Sequence, residues 1–370
     1  MRGHVRKRGA TWSFVVDVGE DGLRRQKWKG GFKTRKEAER ELRRYLVGVE
    51  AGGDPFPEDI TVSAYLDRWL EHQRSRLRPG THIRYVRLMN DVRGTIGRLR
   101  LDRVRPAHVQ QVIDKMTERG LAPRTVVQAR AVLGHALRQA VAWGLIPYNP
   151  VPAVRPPKPE RPDLQVPTAV QMLRLIEASA GTPWGVPLLL AAMTGARRGE
   201  ILALRWADVD LETGQTRITR SIQRVNGGLV FMEPKTSRSR RQITLPAAAL
   251  EPLRKQRRQQ RKRRMLVGTH WQDLDLVCDR GDGGPLHPDS WTKAFKRLAL
   301  KAGLPAGTRL HDVRHGFATV LLARGVHPAI ASAALGHSSP AFTMTVYQHV
   351  LDGMTAQVAA AIDEAFGEIR

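Results

Sequence analysis

A single cysteine, Cys278, in a chain of 370 residues excludes an internal disulfide and leaves no thiolate cluster for zinc. Such a chain suits a reducing cytosol. Long apolar runs are missing too: none approaches the roughly 20 residues that cross a bilayer, and the charged amino terminus has no apolar segment behind it. Neither export nor membrane insertion is expected, and the protein reads as cytoplasmic. Acidic residues are scarce, 35 against 61 lysines and arginines, which leaves a formal net charge of +26. An Arg-rich coding bias is the bland explanation, but solubility needs far less charge. A field of this sign concentrates polyanions, so nucleic acid is the expected partner. Tyrosine is scarce as well, with five in the chain, so each can be weighed as packing or as chemistry.

Hydrophobic residues, at 41%, suffice for packed cores, and the length implies two or three domains. Trp12, Phe14, Val16 and Val18 alternate, the period of a strand with one buried face. Gly19-Glu20-Asp21-Gly22 supplies a turn, and a second strand is expected over 23–29. Thr34 and Glu37 form a capping box that opens a helix to about Val49, with Ala38, Leu42, Tyr45 and Leu46 turned inward. Residues 1–50 hold 14 basic residues against 7 acidic ones, more charge than so small a sheet-plus-helix module needs, which points to DNA contact.

Ala51-Gly52-Gly53-Asp54-Pro55-Phe56-Pro57 breaks the periodicity as a linker. Four helical stripes follow. They are Val62, Tyr65, Leu66, Trp69 and Leu70; Tyr85, Leu88, Met89 and Val92; Val109, Val112, Ile113 and Met116 behind a first-turn Pro106; and Val127, Leu133, Leu137 and Val141 in a helix from Pro123 to Trp143, ended by Gly144. The set predicts a four-helix bundle, with Arg74, Arg76, Arg78, Arg84 and Arg87 near its first connection turned to phosphates. Eight prolines within 147–167 then extend the chain into an interdomain strap, along which Arg155, Lys158 and Arg161 can follow a polyanion.

Beyond the strap, Thr168 and Gln171 form a second capping box ahead of Val170, Leu173 and Ile176. An apolar helix over 187–193 ends at Thr194-Gly195, and Arg197 sits at the turn before a helix led by Gly199-Glu200. Strands are expected at 215–225, 229–233 and 242–245, with Asn226-Gly227-Gly228 as a hairpin turn. Lys235 lies in a basic turn with Ser237, Arg238, Ser239, Arg240 and Arg241, and residues 254–264 hold eight cations and no acid. The remainder reads as mainly helical.

Within this third region, Arg197, Lys235, His311, Arg314, His337 and Tyr347 form a set with one chemistry in common. Two guanidiniums can hold the non-bridging oxygens of one phosphate, imidazoles can bond to it or exchange protons, an ammonium can protonate a leaving oxygen, and a phenol can attack. Glu200, three residues past Arg197, can pair with that arginine and aim its fork. Lys235 is preferred as the acid over Arg238, Arg240 and Arg241, because an arginine is a poor proton donor. His311 and His315 are spaced as a helical metal pair, but Arg314 between them repels a cation and the glutamate of a zinc-protease helix is absent. His315 therefore reads as structural, whereas His337 serves either as a cap after Gly336 or as a phosphate contact. Tyr45, Tyr65 and Tyr85 fall on apolar helix faces and Tyr148 in the strap, which leaves Tyr347 as the one tyrosine after the phosphate-binding set.

Thr194-Gly195-Ala196-Arg197-x-x-Glu200, the lysine turn, His311-x-x-Arg314, Gly336-His337 and Tyr347 occur in the order found in the tyrosine recombinases. The layout resembles a phage-type integrase, closely over about 165–370. Ala196 and Gly316 depart from the family, standing where it often carries larger residues, which bears on packing. The resemblance implies a mainly α, multi-domain protein with small β elements: an arm-type DNA-binding module at 1–52, a helical core-binding domain at 58–150, a Pro-rich linker at 151–166 and a mixed α/β catalytic domain at 167–370. It implies a site-specific integrase of a mobile element that cuts and rejoins DNA through a 3′-phosphotyrosyl bond, with no cofactor, metal or ATP. Tyr347 would be the nucleophile, His311 the base, Lys235 the acid, and Arg197, Arg314 and His337 the phosphate ligands. Implied partners are double-stranded DNA attachment sites, a homotetramer on DNA, and accessory DNA-bending or directionality proteins. A terminal helical stripe of Val358, Ala359, Ile362 and Phe366 is expected either to dock on a neighbouring protomer or to pack on its own domain. The rival readings are a type IB topoisomerase and an inactive DNA-binding protein.

Overall fold

The computed structural model describes residues 3–17, 26–50, 60–159, 165–233 and 240–336. The expected turn at 19–22, the linker at 51–57, Arg161, Lys235 with Ser237, Arg238 and Ser239, and everything from His337 through Tyr347 to the terminal stripe lie outside the described residues. The chain divides into two units, Met1–Arg161 and Pro162–Arg370.

The first unit opens with an antiparallel sheet ordered β1 (Gly3–Arg8), β2 (Thr11–Asp17), β3 (Gln26–Phe32), followed by α1 (Arg35–Glu50). β2 covers residues 12–17 of the strand expected at 12–18, and Val18 lies outside the described residues. The second strand runs on to Phe32, and β1 is an addition to the expected pair, because Arg6, Lys7 and Arg8 mask its alternation. Phe14, Val16, Phe32, Ala38 and Leu42 form the core, with Phe14 stacked on Phe32 at 5.9 Å between ring centres. The Glu37 backbone N–H donates to Thr34 Oγ1, while the Glu37 carboxylate accepts from Lys33 rather than from Thr34 itself.

Four helices follow: α2 (Val62–Arg74), α3 (Pro79–Ile96), α4 (Pro106–Glu118) and α5 (Pro123–Ala142). The last three each begin on a proline, whose missing N–H costs nothing in a first turn. Trp69 is wholly buried, stacked on Tyr85 at 5.9 Å and edge-on to His135 at 5.5 Å. The Tyr65 hydroxyl donates to the Ala136 carbonyl at 2.5 Å, and burial pushes its pKa well above the usual phenol. The stripe on α5 is centred one residue from the expected one: Val126, Ala129, Leu133 and Leu137 are buried and Val127 is not. Small alanines, which periodicity scores weakly, line the close packing there. The first residues of the proline-rich stretch belong to this core, since Val151 and Val154 are buried in it and Arg130 donates to both of their carbonyls.

The second unit contains α6 (Ala169–Ser179), α7 (Gly185–Thr194), the one-turn α8 (Arg198–Ile201), four short strands, and then α9 (Ala247–Val267), α10 (Pro288–Lys301), α11 (Leu310–Ala323) and α12 (Pro328–Leu335). The Thr168–Gln171 capping box is reciprocal, at 3.2 and 2.9 Å. α6 buries Met172 and Leu175 and leaves Val170 and Leu173 more than half exposed, so two of the three apolar residues read from the sequence face outward. The strand expected at 215–225 is two strands, broken at Thr219-Arg220. β4 (Gln215–Ile218) pairs with β7 (Arg241–Thr244), and β5 (Ser221–Val225) with β6 (Gly228–Met232). Asn226 and Gly227 both take positive φ, 49° and 86°, as a tight hairpin turn between right-twisted strands requires. Leu188, Leu190, Leu202, Val277, Trp291, Phe295 and Val313 are central to the core. Cys278 lies within it, and burial followed by the Asp279 charge pushes its thiol pKa far up.

Candidate active site

Two helix ends build the site. α7 stops at Gly195, in the left-handed conformation at φ 60°, and α12 stops at Gly336, also left-handed at φ 65°. A left-handed residue turns the chain sharply and leaves the last carbonyls of the helix seeking donors. Arginines supply them. Arg314 Nη1 donates to Gly195 O and Nη2 to Leu335 O, both at 2.7 Å. Arg197 Nη2 donates to Gly336 O at 2.9 Å. Both predicted arginines are thus held at the same pair of turns, although 197 and 314 are far apart in sequence.

Arg197 is the N-cap of α8, and Glu200 is that helix's third residue. Glu200 is buried, with Oε2 accepting from the Arg197 backbone N–H and Oε1 from Arg197 Nη1, each at 2.9 Å. Arg241 reaches the same carboxylate from β7, Nη2 to Oε2 at 2.9 Å. Burial works to raise the Glu200 pKa, but the hydrogen bond and charge of Arg241, then those of Arg197, hold it below the usual carboxylate range. The carboxylate stays ionised and fixes Arg197 at the site edge, where its side chain is 40% exposed.

α11 carries His311 and Arg314, while Lys235, His337 and Tyr347 lie outside the described residues. Its N-terminus is closed by Asp312, 1% exposed, which accepts from the Arg309 backbone N–H at 2.7 Å and from its guanidinium at 2.8 and 3.1 Å. His311, beside Asp312 in the same first turn, is exposed and lies edge-on to the buried His315 ring one turn on, at 5.1 Å. Partial desolvation, then the charge of Arg314, lowers the His311 pKa. Burial, then the charge of His311, pushes His315 down to about 4. Both imidazoles are therefore neutral at pH 7. A cavity of about 330 Å³ opens beside His311 and Arg314, with Ala196, Ile201, Trp291 and Leu310 on its apolar walls.

The two departures from the family pattern are packing features. Ala196 is buried, and a Cβ on Gly316 would lie 2.7 Å from Pro167 O and 2.9 Å from Met172 Sδ, so α6 can approach α11 only over a glycine. Two of the alternative cations are engaged: Arg240 pairs with Glu233, and Arg241 lies in β7 with its side chain 6% exposed. From sequence alone Arg241 is one more cation in a turn. The alternation of β7, with residues 241 and 243 facing inward, is the signal that places it inside.

Residues 166–354 match the model of the phage integrase family, residues 4–47 that of an arm DNA-binding domain, and residues 62–156 that of the phage integrase central domain. The chain is similar to a tyrosine recombinase XerC-like protein of Caldanaerobacter subterraneus, 26% identical with 98% of each chain covered. An integrase of Streptomyces ambofaciens is 27% identical over 98% of this chain and 95% of its own. Among solved structures, the Tn1549 transposon integrase in complex with transposon right end DNA covers 83% of this chain and 99% of its own, at 21% identity and a TM-score of 0.69. A lambda integrase tetramer bound to a Holliday junction covers 90% and 92%, at 20% identity and a TM-score of 0.56.

Proposed function

The chain belongs to the phage integrase family and is a site-specific DNA recombinase of the tyrosine class, and from that premise we propose how its residues divide the reaction. Tyr347 attacks the scissile phosphorus, the bond from phosphorus to the 5′ oxygen breaks, and a 3′-phosphotyrosyl link forms. A phenol of pKa about 10 is only about 0.1% ionised at pH 7, a deficit of roughly 4 kcal/mol. His311, neutral at that pH, takes the phenolic proton. Lys235 gives a proton to the departing 5′ oxygen, while Arg197 and Arg314 hold the non-bridging oxygens as charge builds on them and His337 adds a hydrogen bond. Reversal by the 5′-hydroxyl of a second duplex completes strand exchange, and the bond energy kept in the phosphotyrosyl link makes the exchange near-isoenergetic.

The observation that carries this reading is the gathering of Arg197 and Arg314 onto the carbonyls of Gly195, Leu335 and Gly336, with a neutral imidazole at the rim. The DNA partners we propose are two duplex attachment sites held by a homotetramer, with accessory bending or directionality proteins assisting. The arm module and the arginines of the α2–α3 connection would hold flanking phosphates, and Arg74, Arg76, Arg84 and Arg87 are exposed.

The test is a nicked duplex spanning the element's own end, read from the DNA flanking its gene. On a denaturing gel the parent chain should form a protein-linked band, and Tyr347→Phe should bind the duplex and form none. A band that persists in the variant removes Tyr347 from the role. Strand transfer between two such duplexes separates recombination from the nicking and closing of one strand.

A further inference from the structure

Arg241 occupies a position that the division of roles above leaves unused. It opens β7, directly after the lysine-bearing turn, and its side chain is 6% exposed. Nη2 donates to Glu200 Oε2 at 2.9 Å, and Nε to the Ala334 carbonyl at 2.8 Å. A Cβ on Gly336 would lie 3.1 Å from Nη1, so the guanidinium packs against the turn whose carbonyl holds Arg197. One side chain therefore ties together the strand after the lysine turn, the start of α8 and the end of α12.

We propose that Arg241 is a positioning residue for recombination: it shares the Glu200 carboxylate with Arg197 and fixes the 334–336 turn, so that Arg197 presents its guanidinium to the scissile phosphate. The physical reason is a competition for one anion. With Arg241 present, Glu200 divides its oxygens between two guanidiniums, and Arg197 commits only Nη1 to it. With Arg241 removed, the buried carboxylate keeps a single cationic partner, and a bidentate pair becomes the best geometry open to it. Arg197 Nη2 then leaves the Gly336 carbonyl for Glu200, and the fork swings out of the orientation in which it faces the phosphate. A lysine at 241 supplies the charge but not the fork, and satisfies either Glu200 or the Ala334 carbonyl.

This inference rests on the phosphate-binding role given to Arg197. The experiment compares the full-length parent, Arg241→Gln and Arg241→Lys on the same nicked duplex, carrying either a normal scissile phosphate or a methylphosphonate. The methylphosphonate has one fewer charged oxygen for Arg197 to hold. Arg241→Gln should bind the duplex as the parent does and cleave the phosphate about 100-fold more slowly, a loss of the size seen for one charge-stabilising donor. On methylphosphonate the gap should close to about threefold, and Arg241→Lys should fall between parent and Gln. A lesion of general structure slows both substrates alike, and equal slowing, or parent-rate cleavage of the phosphate, overturns the proposal. If Arg241→Gln does not fold, the same phosphate-to-methylphosphonate comparison on Arg241→Lys decides. A parent chain that forms no adduct overturns the functional reading and this proposal with it, whereas equal losses against a working parent overturn the proposal alone.

Discussion

Arg314 Nη1 donates to the carbonyl oxygen of Gly195 at 2.7 Å, joining α11 to the left-handed turn that ends α7. The turn has no room for a side chain. A Cβ at Gly195 would stand 2.5 Å from Phe317 Cδ1 and 2.7 Å from Leu335 Cδ2. Gly195→Ala should therefore cost about 2 kcal/mol or more, from the left-handed backbone and the overpacking together. Urea unfolding measures that loss. Single-turnover cleavage should fall further than the stability change explains, because the carbonyl that aims Arg314 moves too, and parent-like cleavage would show that the aim does not depend on the turn.

Arg314→Lys isolates the fork from the charge. The guanidinium spans Gly195 O and Leu335 O at once, whereas an ammonium on a flexible stem cannot bridge both carbonyls and still face a phosphate. Cleavage should slow by about 100-fold or more with near-parent DNA affinity. Matched losses in affinity and rate would place Arg314 in binding rather than in catalysis.

His315 links stability to pH. Its folded pKa is pushed to about 4 by burial and by the neighbouring His311, below an unfolded value of about 6.5. The unfolded chain therefore binds the proton first, so the stabilising contribution is present above pH 6.5 and is lost as the pH falls toward 4. Between pH 7 and 5 the loss should be about 2 kcal/mol. His311, whose pKa is also lowered, adds in the same direction. Urea midpoints at the two pH values, for the parent and for His315→Gln, measure the effect. The variant should show a visibly smaller drop, and equal drops would mean that His315 is not the titrating group.

The bundle is legible in the sequence because its helices carry large apolar residues at helical spacing, and Val62, Tyr65, Leu66, Trp69 and Leu70 all lie buried as that spacing predicts. The arginines at 197 and 314 can be singled out because their neighbours Glu200, His311 and Gly195 sit close by in sequence. What holds them cannot. Gly336 O and Leu335 O reach these side chains across long stretches of chain, and carbonyl acceptors leave no mark on residue identity. Arg241 escapes notice for a related reason: an arginine in a basic turn looks solvated until a buried carboxylate from another element is found beside it. On α6, Val170 and Leu173 suggest core by their chemistry alone, while Met172, which closes over Gly316, does the packing.

Trp69 gives the bundle its own test. It is wholly buried between Tyr85 and His135, so Trp69→Ala removes a large apolar volume that the helices cannot fill. The expected cost is about 3–5 kcal/mol, while Trp69→Phe, which keeps a ring against Tyr85, should cost markedly less. Thermal or urea unfolding of the full chain measures both, and equal effects would mean that a retained ring contributes nothing at this position.

The charge of +26 makes a last prediction, about salt. Several exposed cations are paired only at the surface: Arg74 with Glu71, Arg258 with Glu251 and Arg264 with Asp273. Such pairs are worth little in water and give way to a phosphate. Binding to nonspecific duplex should therefore displace many counterions. With roughly 6 to 10 phosphates neutralised, affinity should fall by roughly 10³ to 10⁵ between 50 and 200 mM salt, along a straight line of log affinity against log salt. Replacing exposed cations with glutamine one face at a time then assigns the phosphate ligands, since removing one of them should reduce the slope by about one. Arg76, Arg84 and Arg87 test the bundle face; Lys255, Arg261 and Lys262 test α9. A flat titration of the parent would mean that the excess charge serves something other than DNA.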